Sequence, residues 1–333
     1  MDTISLYYLT ELVKDMNMTK TAARLFISQQ TLSNHILRLE QYYDTPLFER
    51  KPALSLTYAG EQVVKYADRV LKDQQNLKDQ LADIAHQDTG ILRFGASSQR
   101  LNTCLPYILP GFSSRYPGVQ VDIVDNYTLN LEPMILRNDL DLAIIMSGSK
   151  SPKIKAKPLM EDIVYLCVKE SLLRKQLSPE HAEALIAGNR RGIRLEEVKD
   201  LPVCLPGFRL GNMIRQCYYE EGITPKVQYT TTYVYAGVMS AFMGLTASFV
   251  TDISLLNYAD HIPEEMRLFP ILREGVPLRQ ELFLIRNRER FLSAYAQYFV
   301  KLLDECFSER GILGKIREMQ GGSNGTAGQN GIR

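Results

Sequence analysis

The chain has 333 residues, of which 45% are hydrophobic and 23% charged, with a formal net charge of +1. That length exceeds one small domain, and the composition is that of soluble globular material. Near-neutral charge argues neither for a polybasic nucleic-acid coat nor for a membrane-surface protein.

The first residues are acidic and polar and lead directly into a helix, so no targeting signal is read at the N-terminus and a cytoplasmic protein is expected. Leu9, Leu12, Val13 and Met16 stand at helical spacing. A second helix is expected from about Thr19, whose hydroxyl can cap its free N–H groups, through Ala22, Ala23, Leu25 and Phe26. Ser28-Gln29-Gln30-Thr31 offers another hydroxyl cap, after which Leu32, Ile36 and Leu39 mark the buried stripe of a third helix. Its opposite face carries Gln30, Asn34, Leu37 and Gln41, flanked by Thr31, Ser33 and Arg38. Hydroxyls, amides and an arginine are groups that bond base edges and phosphates in a major groove.

Residues 47–52 and 54–57 read as two short strands joined by a turn. Helices followed by such a hairpin predict a winged helix-turn-helix DNA-binding domain over residues 1–60. Its expected contact set is Thr19, Ser28, Gln29, Gln30, Thr31, Ser33, Asn34, Arg38, Arg50 and Lys51. The segment holds six Lys/Arg and six Asp/Glu, so nonspecific attraction to DNA is modest and binding rests on the placement of charge and on dimeric avidity.

Residues 61–88 form a linker helix whose Val63, Ala67, Val70, Gln74, Leu77, Leu81 and Ile84 alternate steps of four and three. A strict two-per-seven stripe suits pairing with a second copy better than packing on its own domain, which makes Val63, Ala67, Val70, Leu77, Leu81 and Ile84 the expected dimer seam. Two copies would present two recognition helices to the half-sites of a pseudo-palindromic operator.

After Asp88-Thr89-Gly90, strands at 91–96, 119–124 and 141–146 alternate with helices at 101–112 and 129–138. A second unit follows: a strand at 163–168, a helix at 210–221, a strand at 226–229, a helix at 233–243 and a strand at 246–250. A return through 281–287 and a last helix at 293–307 complete an α/β domain over 89–310, with a mostly parallel sheet. Two lobes are expected, I over about 89–160 and 268–310 and II over about 161–267, with a cleft between them. Residues 172–194 are charge-rich and read as a surface insertion or a lid; such insertions are usually solvated, which favours the former. The uncharged stretch 227–251 has only about 15 mainly apolar residues, short of a membrane span. Residues 320–333, rich in Gly and Asn, are expected to be disordered.

The five cysteines are scattered and lack any C-x-x-C spacing, so they read as buried free thiols rather than zinc ligands or disulfides. The histidines His35, His86, His181 and His261 neighbour no catalytic motif, and no phosphate-loop or dinucleotide fingerprint is present. No enzyme, cofactor or metal site is expected.

The string A-A-R-L-x-x-S-Q-x-x-L-S-x-x-I-x-x-L-E from Ala22 to Glu40, followed by Pro46-Leu47-Phe48-Glu49-Arg50 and by Leu56, Thr57, Ala59 and Gly60, resembles the DNA-binding domain of LysR-type transcriptional regulators. The chain departs from that pattern at Asn34 and Leu37, where basic residues are usual, at Asp44 in place of a glycine, and in a short, arginine-poor wing. Gly90-Ile91-Leu92-Arg93-Phe94-Gly95, Leu105-Pro106, Tyr116-Pro117-Gly118-Val119 and Asp139-Leu140-Asp141-Leu142-Ala143-Ile144 are similar to the family's effector-binding domain, whose fold is like that of periplasmic binding proteins.

The resemblance implies a tetramer, where the heptad alone supports a dimer. Ligands in open α/β lobes settle where strands end and helices begin. These turns hold Ser97, Ser98, Gln99, Tyr127, Thr128, Phe208 and Arg209. In the family they line the effector pocket, whereas hydroxyls at such positions otherwise cap helices. Arg209 would face a ligand carboxylate, with Tyr127 and Phe208 as an apolar wall.

The expected function is a DNA-binding transcriptional regulator whose promoter binding, with contacts to the transcription machinery, responds to a small polar or anionic metabolite. The alternative is a ligand-independent repressor whose α/β domain serves only oligomerisation, for which a cleft closed and filled by large side chains would speak.

Overall fold

The computed structural model describes residues 2–49, 53–84, 89–308 and 310–321. The chain divides into two units at Gly90.

In the first unit, α1 (Thr3–Asp15) begins where the Asp2 side chain accepts from the Ser5 N–H and stops at Met16, which is left-handed. Helix α2 (Met18–Arg24) is capped by Asn17, whose side chain accepts from the Lys20 N–H. Thr19 therefore lies inside the helix and is not its cap, because the amide two residues earlier reaches the free N–H first. Ser28 does cap α3 (Gln29–Tyr42), accepting from the Thr31 N–H. Leu32, Ile36 and Leu39 bury against Leu6, Leu9, Leu12 and Ala22, as their spacing requires.

After α3, Asp44 takes the left-handed conformation at φ 48° that the resemblance assigns to glycine. Of the expected hairpin, β1 (Phe48–Glu49) pairs antiparallel with β2 (Ser55–Leu56), and residues 50–52 lie outside the described residues. Glu40 ties it to α3 by accepting from the Leu47 N–H at 2.9 Å. At Gly60 a Cβ would collide with the Leu47 carbonyl oxygen, so only glycine lets α4 (Tyr58–Ile84) start this close to the hairpin.

Helix α4 corrects part of the expected seam. Val63 and Ala67 are buried in the unit's own core, so these two cannot face a second copy, and Val70 is half-buried against it. They pair with α1 because three short helices alone enclose too little apolar surface. Leu77 and Leu81 are 54% and 56% exposed. The side chain of Ile84 lies outside the described residues.

In the second unit every expected strand and helix forms, with bounds moved by a few residues. They are β3 (Thr89–Ala96), α5 (Ser98–Arg115), β4 (Gly118–Asp125), α6 (Thr128–Leu136), β5 (Leu142–Met146), β6 (Ile154–Lys169), α7 (Glu170–Gln176), α8 (Pro179–Ala187), β7 (Pro202–Pro206), α9 (Phe208–Glu220), β8 (Lys226–Thr231), α10 (Val234–Phe242), β9 (Ala247–Thr251), α11 (Asp252–Leu256), β10 (Met266–Pro270), the small β11 (Leu272–Arg273) and β12 (Val276–Pro277) pair, β13 (Arg279–Asn287), α12 (Ala294–Cys306) and α13 (Ile312–Gly321).

The main sheet runs β4-β3-β5-β13-β6-β9-β7-β8, with β10 also on β6. It is mixed rather than mostly parallel: β3 with β5 and β7 with both β8 and β9 are parallel, while β13 and β6 are antiparallel to their neighbours. Strand β6 is the spine. Residues up to Ile163 pair with β13, and Val164 to Lys169 pair with β9 and β10. One core gathers Leu92, Phe94, Phe112 and Phe299 in lobe I, and another gathers Leu166, Leu205, Tyr218 and Phe249 in lobe II.

The return to lobe I comes near residue 279, not 268, because Leu268 and Phe269 pair with Cys167 and Leu166, and Leu278 belongs to the second core. The segment 172–194 is not a solvated surface piece. Leu172, Leu173, Ala182, Leu185 and Ile193 enter the lobe II core from α7, α8 and the following loop. Helix α13 runs past the expected domain end at 310 and through residues 320 and 321; the remainder of the expected tail, 322–333, lies outside the described residues. All five cysteines are free and buried.

Candidate nucleic-acid interface and ligand cleft

On α3, Gln29, Gln30, Asn34, Leu37, Arg38 and Gln41 are exposed and Thr31 and Ser33 half-buried. The exposed amides are already ordered. Gln30 Nε2 donates to Asn34 Oδ1 at 3.2 Å, Thr19 Oγ1 donates to Gln29 Oε1 at 3.2 Å, and the Ser28 and Thr31 hydroxyls share a 2.8 Å bond. The structure thus brings Thr19, Ser28, Gln29, Gln30, Thr31, Asn34 and Arg38 onto one end and face of the helix pair. Arg50 and Lys51 lie outside the described residues.

Nearby basic charge is partly engaged. Arg24 binds Glu11, donates through Nε to Asp15 Oδ2 at 2.8 Å and through Nη2 to the Glu11 carbonyl at 2.9 Å, and Lys20 reaches Asp15 at 3.0 Å. Hydrogen bonds from Lys20, then Arg24, hold the Asp15 carboxyl down at about 2. Arg24 therefore fastens α2 to the end of α1. His35, whose Nδ1 meets Ser5 Oγ at 2.8 Å and whose ring abuts Tyr8, is a packing residue at the stripe's edge. Phe26, expected within α2, instead follows it at φ 56° and is 97% exposed.

Between the lobes of the second unit, the turns preceding α5, α6 and α9 meet. Tyr127 and Phe208 meet across the gap with ring centroids 4.1 Å apart and planes tilted by 37°, and Arg209 Nη1 donates to the Met146 carbonyl at 3.3 Å. Phe208 holds φ 55°, a conformation costing a bulky residue roughly 1–3 kcal/mol and found mostly at working sites. The turn is set by Gly211, where a Cβ would collide with the Pro206 carbonyl oxygen as α9 leaves β7.

Capping does not occupy the hydroxyls here. Helices α5, α6, α9 and α10 start without a side-chain cap, while α1, α2, α3, α8, α11 and α12 each have one. Helix α7 also starts uncapped but carries Glu170 in its first turn. Ser97 Oγ accepts from Arg100 Nη1 at 2.7 Å, Thr128 Oγ1 accepts from the Met146 N–H at 3.5 Å, and Ser98 is exposed. Gln99 is committed to the fold, its carbonyl accepting from Asn257 Nδ2 at 3.0 Å and from Thr103.

Below these turns sit two groups that the sequence did not single out. Arg100 is 7% exposed and Asp162 1% exposed. Burial lowers the Arg100 pKa, the Asp162 carboxylate opposes that shift, and the Arg209 guanidinium adds to it. Burial also lifts Asp162 to about 7, against its bond from the Ile253 N–H at 3.1 Å. Neither residue has a periodic signature: Arg100 follows two serines and a glutamine at a helix start, and Asp162 interrupts an apolar strand. Arg100 and Asp162 are thus buried polar groups near these turns, while Tyr127 and Phe208 close part of the gap with large side chains.

The comparisons agree with this geometry. Residues 4–61 match the model described as a bacterial regulatory helix-turn-helix protein of the lysR family, and residues 85–307 match the LysR substrate binding domain. The HTH-type transcriptional regulator YcgK of Bacillus subtilis, itself uncharacterised, is 24% identical over 96% of this chain and 99% of its own. CysB of Haemophilus influenzae is 23% identical over 90% and 91%. Among solved structures, a full-length OxyR variant from Pseudomonas aeruginosa superposes with a TM-score of 0.63 at 22% identity, covering 92% of this chain and 94% of that one. Full-length CbnR complexed with its target DNA gives 0.59 at 18% identity, covering 91% and 99%. A helix-turn-helix unit with an ordered polar face, joined to a two-lobed α/β unit and matched along both, places this chain in the LysR family of bacterial transcriptional regulators.

Proposed function

We propose that this regulator binds a small polar or anionic metabolite between its two lobes, and that the ligand shifts the lobes and thereby its hold on a promoter. The observation carrying this reading is the convergence of the uncapped starts of α5, α6 and α9 beneath the strained Phe208 and its partner Tyr127. Ser97, Ser98, Tyr127, Thr128, Phe208 and Arg209 line the ligand, with Gln99 bracing the turn. Free helix N–H groups attract anions, and a ligand moves an equilibrium only through differential affinity for its two states.

DNA contacts come from Thr19, Ser28, Gln29, Gln30, Thr31, Ser33, Asn34 and Arg38, with Arg50 and Lys51 at the wing. Two copies joined along α4 engage a pseudo-palindromic operator in the cytoplasm, as a dimer or a dimer of dimers. The test is a mobility shift of DNA flanking the gene at fixed salt, with footprinting. A protected two-part site that changes with an added metabolite is the expected result; one undivided footprint indifferent to every metabolite that binds the protein would falsify the reading.

A further inference from the structure

Leu37 is an apolar side chain in the middle of the polar face of α3. At about 100° per residue it lies about 20° from Gln30 and about 60° from Asn34 around the helix, but about 140° from Leu32 and about 160° from Leu39 of the buried stripe. It therefore cannot turn into the core, and it is 45% exposed. Its neighbours three and four residues away, Ser33, Asn34, Glu40 and Gln41, are all polar, so no apolar side chain of α3 covers it. A lone surface leucine is ordinary. This one stands on the helix face that meets DNA, where the resemblance to LysR-type regulators calls for a cation.

That exchange changes what the position can bind. A cation holds a phosphate whatever the sequence, whereas an isobutyl group has no charge, donor or acceptor. Of the groups that the four bases present in a major groove, the thymine C5 methyl is the apolar one. A polar base edge pressed against Leu37 loses its water and gains no bond in return, while the neighbouring amides of Gln30 and Asn34 are ordered by their own 3.2 Å bond.

We infer that, with α3 as the helix that reads bases, Leu37 is a specificity-determining residue that packs on the C5 methyl of a thymine in the operator and disfavours other bases there. A sequence-blind contact is thereby replaced by a sequence-dependent one, in a segment whose six Lys/Arg are matched by six Asp/Glu.

The experiment starts from a pool of random-sequence duplexes, selected by mobility shift with the full chain at fixed salt. The recovered site is then remade with uracil in place of thymine, one position at a time, which removes a single methyl and leaves every hydrogen-bonding group unchanged. At one position or more the parent should lose about fourfold in affinity, the ~0.8 kcal/mol of one buried carbon group. Leu37→Ala should bind the thymine and uracil forms alike, at about the parent's affinity for uracil. Leu37→Lys should also lose the discrimination, bind all duplexes more tightly and steepen the salt slope by about one. Melting of each variant beside the parent checks that the exposed position has not altered the fold.

A parent indifferent to uracil at every position overturns the role of Leu37, and so does a uracil penalty that persists in both variants, which would assign the methyl to another side chain. If Asn34→Ala still alters base preference in either case, α3 remains the reader and Leu37 alone is removed from it. A pool that yields no specific site defeats base reading by α3 as a whole and this assignment with it.

Discussion

At the residue scale, the exposed face of α3 holds amides whose chemistry suits base edges and one cation whose chemistry suits phosphate. Asn34, positioned by Gln30, presents an amide suited to paired bonds with an adenine edge. Arg38 is the exposed cation on that face. Asn34→Ala should flatten preference at one base pair by about 1–3 kcal/mol, while Arg38→Ala should weaken all sites evenly and reduce the salt slope by about one. Affinity for a panel of operator variants at two salt concentrations separates these outcomes; equal loss across the panel for Asn34→Ala would remove it from the base-reading set. The face was legible because polar residues sat opposite a clean apolar stripe. Arg24 was legible only as a matched motif letter, since its bonds to Glu11 and Asp15 depend on how α1 and α2 cross.

At the element scale, α4 shows what periodicity can and cannot say. The apolar repeat is real, but its first turns are consumed by α1, and among its described leucines Leu77 and Leu81 remain uncovered, next to a groove lined by Ile4, Tyr7, Leu71 and Gln74. A heptad reports that a stripe needs a partner and not which one. Joint Leu77→Gln and Leu81→Gln should weaken self-association at least about tenfold, given roughly 1.5–3 kcal/mol per buried leucine. Val63→Ala should instead lower the melting midpoint and leave association alone. Sedimentation equilibrium beside a melt checks both, and an undisturbed monomer–dimer balance in the double variant rejects the seam. Residues 172–194 were misread for a related reason. Counting charges there hid Leu172, Leu173, Ala182 and Leu185, whose spacing on two short helices feeds a core.

At the scale of the whole molecule, alternating strands and helices were enough to give two lobes, while the antiparallel β6 and β13 were not foreseen because pairing partners so distant in sequence leave no local trace. Where the chain crosses between lobes, Asp162 accepts from the Ile253 N–H and Asp252 from the Ile163 N–H at 2.9 Å, a reciprocal brace. Burial raises Asp162 from 3.8 to about 7, helped by the charge of Asp252. The folded state therefore holds this proton more tightly than the unfolded chain, so the group's contribution is fully present below about pH 4 and is lost as pH rises through 7. The melting midpoint should fall between about pH 4 and pH 7 more steeply in the parent than in Asp162→Asn. Parallel pH curves for the two would show that the Asp162 proton is not tied to folding.

The two units also differ in how they come off the ribosome. The helix-turn-helix is a single run of chain, complete once α4 has emerged. Lobe I needs β13, α12 and α13, which are made after all of lobe II. A nascent or prematurely terminated polypeptide can thus possess a finished DNA reader before it has a sensor. A message cut short near residue 279 would encode the whole first unit and an incomplete lobe I.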